Sequence, residues 1–126
     1  MAIPPTHKAA EKALRRYALT FPEASEELPW GERVIKVRGK IFAFLGTVDG
    51  TLRLGAKLPT SAEMALTLPY VEPSGYGLGR SGWVTAKVPA RRKPDVALFK
   101  GWIEQSYRAV APKKLALMLD AVATTQ

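Results

Sequence analysis

The chain contains no cysteine, which excludes disulfides, thiolate nucleophiles and thiolate-held metals and suits a reducing compartment. Histidine is nearly absent too. His7 is the only one, and its place in the first turn of an expected helix makes an exposed, non-catalytic side chain the simplest expectation. No apolar run approaches the ~20 residues that a membrane span needs. Met1-Ala2-Ile3-Pro4-Pro5 lacks the apolar centre of a signal peptide, so a cytoplasmic protein with no membrane partner is expected. Acids are scarce in the second half. From Arg80 to Lys114 there are nine bases against two acids, Asp95 and Glu104, a local balance of +7.

What is present describes one globular domain, residues 1–126. Its 47% hydrophobic and 24% charged residues are ordinary for a folded protein, and a chain of this length buries roughly two-thirds of its unfolded surface. The formal net charge is +8. Such a charge favours polyanionic partners, DNA or RNA first, although it also serves solubility. The acids gather instead at Glu23, Glu26, Glu27 and Glu32. With no cysteine and no histidine pair, only these carboxylates could hold a metal. Their spacing fits no metal loop, so a solvated acidic loop over 22–31 is expected, with no metal and no cofactor.

Periodicity gives an element order. Thr6 can cap a helix reaching about Leu19, with Ala10, Leu14 and Tyr17 on its apolar side. Three strands follow, about Arg33–Arg38, Ile41–Val48 and Thr51–Lys57, with turns at Gly39-Lys40 and Asp49-Gly50. The first turn pairs Val37 with Phe42 and Ile35 with Phe44 on a core face, leaving Lys36 and Arg38 on the other. A regular second turn would then bring Arg53 to the core side with Phe44, so a bulge is expected near Gly46. With it, Arg53 and Lys57 join the outer face. Thr60-Ser61-Ala62-Glu63 reads as a capping box for a short helix ended by Pro69. Two strands, about Tyr70–Tyr76 and Gly82–Val88, precede helices that begin near Pro94 and Pro112. The class is α+β, in two layers. An antiparallel sheet of about five strands is covered on one face by helices, in the order α-β(3)-α-β(2)-α-α. Phe42, Phe44, Phe99 and Ile103 are expected inside.

Few motifs suggest chemistry. Gly75-Tyr76-Gly77-Leu78-Gly79 looks like a phosphate loop, but a strand rather than a helix follows it, so a tight connection fits better; Arg80 could still meet a phosphate. Trp102 belongs with the core, and Trp30 is expected to plug the approach to the first long strand. Trp83 alternates onto the side of Thr85 and Lys87, where it either stacks on unpaired bases or covers the sheet.

Four blocks resemble, in order, the signature blocks of the MmcQ/YjbR family: Pro29-Trp30-Gly31, Lys36 through Phe44, Gly82-Trp83-Val84-Thr85, and Glu104-Gln105-Ser106-Tyr107-Arg108. The resemblance implies a compact CyaY-like or double-wing α+β fold, and DNA binding inferred from that fold. A fold analogy does not itself establish function. It carries Lys36, Lys40, Trp83 and Tyr107 over as candidate surface, whereas Arg91-Arg92-Lys93 lies outside the pattern and rests on charge alone. A frataxin-like iron role fits badly, because the first helix carries Lys8, Lys12, Arg15 and Arg16.

The leading expectation is a small non-enzymatic protein that binds nucleic acid through a basic sheet face. Its candidate contacts are Lys36, Arg38, Lys40, Arg53, Lys57, Arg80, Trp83, Lys87, Arg91, Arg92 and Lys93. The alternative is a module for a small anionic ligand or a protein, with a pocket near Trp30, Trp83 and Tyr107. An enzyme is least favoured, since no nucleophile–base pair is evident. One broad basic surface would speak for nucleic acid, and a closed pocket with one or two convergent bases for a ligand.

Overall fold

The computed structural model describes residues 5–28, 33–75 and 78–124. Helix α1 (Pro5–Ala18) opens on a proline, whose fixed φ suits a first turn. Thr6 therefore lies inside the helix rather than capping it. Strands β1 (Ala24–Glu27), β2 (Arg33–Val37), β3 (Lys40–Val48) and β4 (Thr51–Lys57) follow, then the short α2 (Ala62–Ala65). After β5 (Val71–Pro73), a 3-10 turn at Leu78–Ser81 leads into β6 (Trp83–Val88), and helices α3 (Val96–Val110) and α4 (Lys113–Thr124) complete the order. The six strands form one antiparallel sheet in the order β1-β2-β3-β4-β6-β5. That is one strand more than expected. The acidic segment expected as a loop supplies β1, with Ala24 opposite Val37 and Glu26 opposite Ile35.

Helices α1 and α3 cover one face of the sheet. Ile35, Val37, Leu45, Leu52, Leu54 and Ala56 point to that side and are buried against Leu14, Phe99, Ile103 and Tyr107. Phe42 lies there too, with ring centroids 5.2 Å from Tyr107 and 6.2 Å from Phe21. The Tyr107 hydroxyl donates to the Pro22 carbonyl at 2.7 Å, which seats the chain between α1 and β1.

The parity conflict between Phe44 and Arg53 is real, but its resolution is not the expected one. The β3–β4 ladder runs without interruption from Val48 opposite Thr51 to Ala43 opposite Ala56, so Gly46 carries no bulge. Arg38 and Gly39, with φ of 51° and 79°, form the first turn instead of Gly39-Lys40, and Val37 faces Lys40. The irregularity falls between Ile35 and Lys36, whose partners Ala43 and Ile41 skip Phe42. Beyond that bulge the alternation inverts. Phe42 stays in the core, while Phe44 turns outward onto Trp83, with ring centroids 5.6 Å apart. Phe44 is therefore not an interior residue of the helix-covered core, and its expected pairing with Ile35 is replaced by one with Val34.

Ser106 of α3 explains why the bulge is tolerated. Its buried hydroxyl donates to the Phe42 carbonyl at 2.6 Å and accepts from the Lys57 amide at 2.8 Å, joining β3 to β4 where their ladder ends. The expected capping box is also replaced. Ser61 precedes α2 without a side-chain cap, and the Gln105 side-chain carbonyl accepts from the amides of Thr60 and Ser61.

Ser106→Ala would leave that carbonyl and amide without their partner, and should cost about 2–3 kcal/mol in chemical denaturation. Phe42→Ala should cost about 3–5 kcal/mol, and Phe44→Ala, half-buried on the other face, clearly less. Equal losses for the two phenylalanines would contradict the inverted alternation.

Candidate functional site

The sheet face opposite the helices carries the bases that alternation placed there, but much of their charge is neutralised locally. Lys36 pairs with Glu27 and Lys87 with Glu72 at 2.5 Å, while Arg38, carried instead into the β2–β3 turn, grips both oxygens of Glu23. The acidic segment supplies two of these partners. Three of its four carboxylates are bonded to arginine or lysine, and the fourth, Glu32, lies outside the described residues. Arg53, Lys57 and Lys40 have no ion-pair partner among the described residues. Arg53 and Lys87 sit side by side across β4 and β6.

Of the residues expected to form an alternative pocket, Trp83 and Tyr107 do not meet. Trp83 is 8% exposed on the outer face, against Phe44, while Tyr107 is buried in the core on the helical side. Trp30 and the side chain of Arg80 lie outside the described residues, as do Tyr76 and Gly77 of the glycine-rich segment. Packed edge-on against Phe44, Trp83 covers the sheet and does not offer a free indole face for stacking. The outer face does hold a cleft of about 380 Å³ elsewhere, bordered by Phe44, Arg53, Gly55, Ser74, Leu78 and Thr85.

The helical side has its own charge pattern. On α1, Arg15 holds Glu26 through two bonds of 2.6 and 3.0 Å, and Arg33 from β2 reaches the same carboxylate at 3.1 Å. Glu11 is taken by Arg33 at 3.6 Å and by the Thr47 hydroxyl at 2.5 Å. Both acids are engaged at the junction of α1 with the sheet. Lys8, Lys12 and Arg16, four residues apart and all exposed, are left with no ion-pair partner among the described residues. The segment after β6 continues this basic end of the molecule. His7 donates from Nε2 to the Pro89 carbonyl at 2.9 Å, so the expectation of an exposed histidine is wrong; it is buried, and it ties α1 to that segment. Arg91 and Lys93 are exposed there, and Arg92 lies 4.9 Å over the Tyr70 ring. The helix stripe of Lys8, Lys12 and Arg16 was legible as helical spacing, but sequence reasoning used it only to argue against iron.

Glu104 to Arg108, the last of the resemblance blocks, is structural throughout. Glu104 accepts from Tyr17 and Arg108, Gln105 caps α2, Ser106 joins two strands, and Tyr107 holds Pro22. Arg108 also reaches Asp120 on α4 at 3.0 Å. Among the described residues no three of His, Cys, Asp or Glu gather as a metal site, and no helix is long and apolar enough to cross a membrane.

Comparison with known proteins agrees with this architecture. The sequence matches the YjbR family model over residues 19–109. The fold is similar to the crystal structure of Deinococcus radiodurans protein DR2400, a DUF419 domain, with a TM-score of 0.63 and 24% identity over 78% of this chain and 75% of that one. No curated protein matches the sequence.

Hydrogen bonds from Arg15, with Arg33 adding its own, hold the Glu26 carboxyl below the usual carboxylate range. A depressed folded pKa stabilises the fold above the unfolded value, and that contribution is lost as pH falls through the folded one. Glu26→Gln should therefore lower stability at neutral pH and flatten its decline below about pH 4. Parallel curves of Tm against pH for the two proteins would show that the carboxylate contributes nothing.

Proposed function

The chain belongs to the YjbR family, and from the way its charges are paired we propose a non-enzymatic protein that binds nucleic acid on the α1 side of the molecule. The observation that supports this reading is the asymmetry of the pairing. On the outer sheet face Lys36 and Lys87 each have a carboxylate, as does Arg38 in the β2–β3 turn, whereas Lys8, Lys12 and Arg16 have none among the described residues. A cation already bound to a carboxylate gains little from a phosphate, since one partner must be given up for the other. Four-residue spacing places the three α1 bases about 6 Å apart along the helix, a linear array suited to successive backbone phosphates. Arg91, Arg92 and Lys93 extend it beyond the first turn, where His7 anchors their segment.

This reading keeps the expected partner and moves the interface. No base-reading element stands out in this array, so the contacts position the polyanion rather than read its sequence. The only histidine is buried and bonded to a backbone carbonyl, which accords with a non-enzymatic role.

Fluorescence anisotropy with a labelled duplex, titrated with salt, tests the proposal. Six phosphate contacts would give a log–log slope near about −5. Replacing Lys8, Lys12 and Arg16 by glutamine should weaken binding and reduce that slope by about 3. The matched triple of Lys36, Arg38 and Lys87 removes the same formal charge and should change it little. No binding at low salt, or equal effects of the two triples, would overturn the assignment.

A further inference from the structure

The cleft on the outer sheet face is independent of the α1 array, and we propose that it is a binding site for a small monoanionic carboxylate carried on a compact apolar body. Its shape originates in two glycines. One row across the sheet reads Phe44, Gly55, Thr85, and the next Gly46, Arg53, Lys87. Each row lacks one side chain, so the face is hollowed between the phenyl ring and the bases. The hollow at Gly55 is close-fitting on one side, where an added Cβ would lie 3.0 Å from the Phe44 ring. Ser74, Gly75 and Leu78 border the same space on the other side. A volume of about 380 Å³ is within the usual range for small-ligand sites.

The chemistry of the border defines the ligand. Phe44 and Leu78 are apolar walls. Ser74 Oγ and Thr85 Oγ1 are 2.9 Å apart and share one hydrogen bond. The pair has two hydroxyl protons, and only one is used between them; the other is available to an acceptor in the cleft. Arg53 has no carboxylate partner among the described residues, whereas Lys87 is held by Glu72. Counting Arg53 and Lys87 against Glu72 leaves one positive charge. A single carboxylate balances it, and a phosphate dianion would exceed it. The guanidinium can take both oxygens of a carboxylate, and the spare hydroxyl proton can add a third bond.

Titration of the full-length protein with benzoate, followed by amide chemical shifts, tests the site. Saturable shifts should centre on Gly55, Gly75 and Thr85 with a Kd of about 1 mM or tighter. Arg53→Gln should weaken binding at least about tenfold, and Thr85→Val should weaken it with the thermal midpoint near that of the parent. Lys12→Gln should leave it unchanged, which separates this site from the nucleic-acid surface. Absence of saturable shifts, shifts that are insensitive to Arg53→Gln, or tighter binding of phenyl phosphate than of benzoate would each overturn the proposal.

Discussion

One hydroxyl group decides how the two layers register. Between Phe42 and Lys57 the central strands stop bonding to each other, and Ser106 takes the place of the missing ladder rung from the helix above. A side chain buried to 0% exposure with both its donor and acceptor roles filled fixes α3 along the sheet as well as above it. The bulge that it stabilises then sets which aromatic belongs to which face. Phe42 joins Tyr107 and Phe21 inside, and Phe44 is delivered to the outer surface, where it becomes a wall of the cleft.

The layers are also tied at their ends by bonds between residues far apart in the chain. Gln105 holds the Thr60–Ser61 turn, Tyr107 holds Pro22, and His7 holds Pro89. Each satisfies a backbone group at the end of an element, where no regular ladder reaches. Glu104 to Arg108 is thereby a row of hooks on one helix, aimed at five separate parts of the fold. Its resemblance to a family pattern reflects how the domain is closed, and says nothing about a ligand.

Elements with a strong local signal were legible: both long helices, the central hairpins, and the alternation of Val84, Ala86 and Val88. What failed had its cause elsewhere in the chain. The first turn was misplaced because arginine seldom adopts a positive φ, and what accompanies it here is the two-bond grip on Glu23, itself at φ 59°. Strand β1 was hidden because Ser25, Glu26 and Glu27 look like loop; their strand character depends on Lys36, Arg15 and Arg33 meeting them. His7 looked exposed because its partner is 82 residues away. Lys36, Arg53, Lys57 and Lys87 do share the outer face, but the carboxylates that pair with Lys36 and Lys87 could not be seen without strand order.

The two borders of the sheet have a consequence for how this domain meets other chains. At one border stands β1, four residues long and bearing Glu26 and Glu27; at the other β5, three residues long and ending in Pro73. A visiting strand would find a short template at either side, with carboxylates along one and a missing amide donor at the other. Partners that add themselves as an extra strand, including a second copy of the same sheet, are disfavoured at both borders. Recognition is left to the broad faces, one lined by helix and the other by exposed sheet.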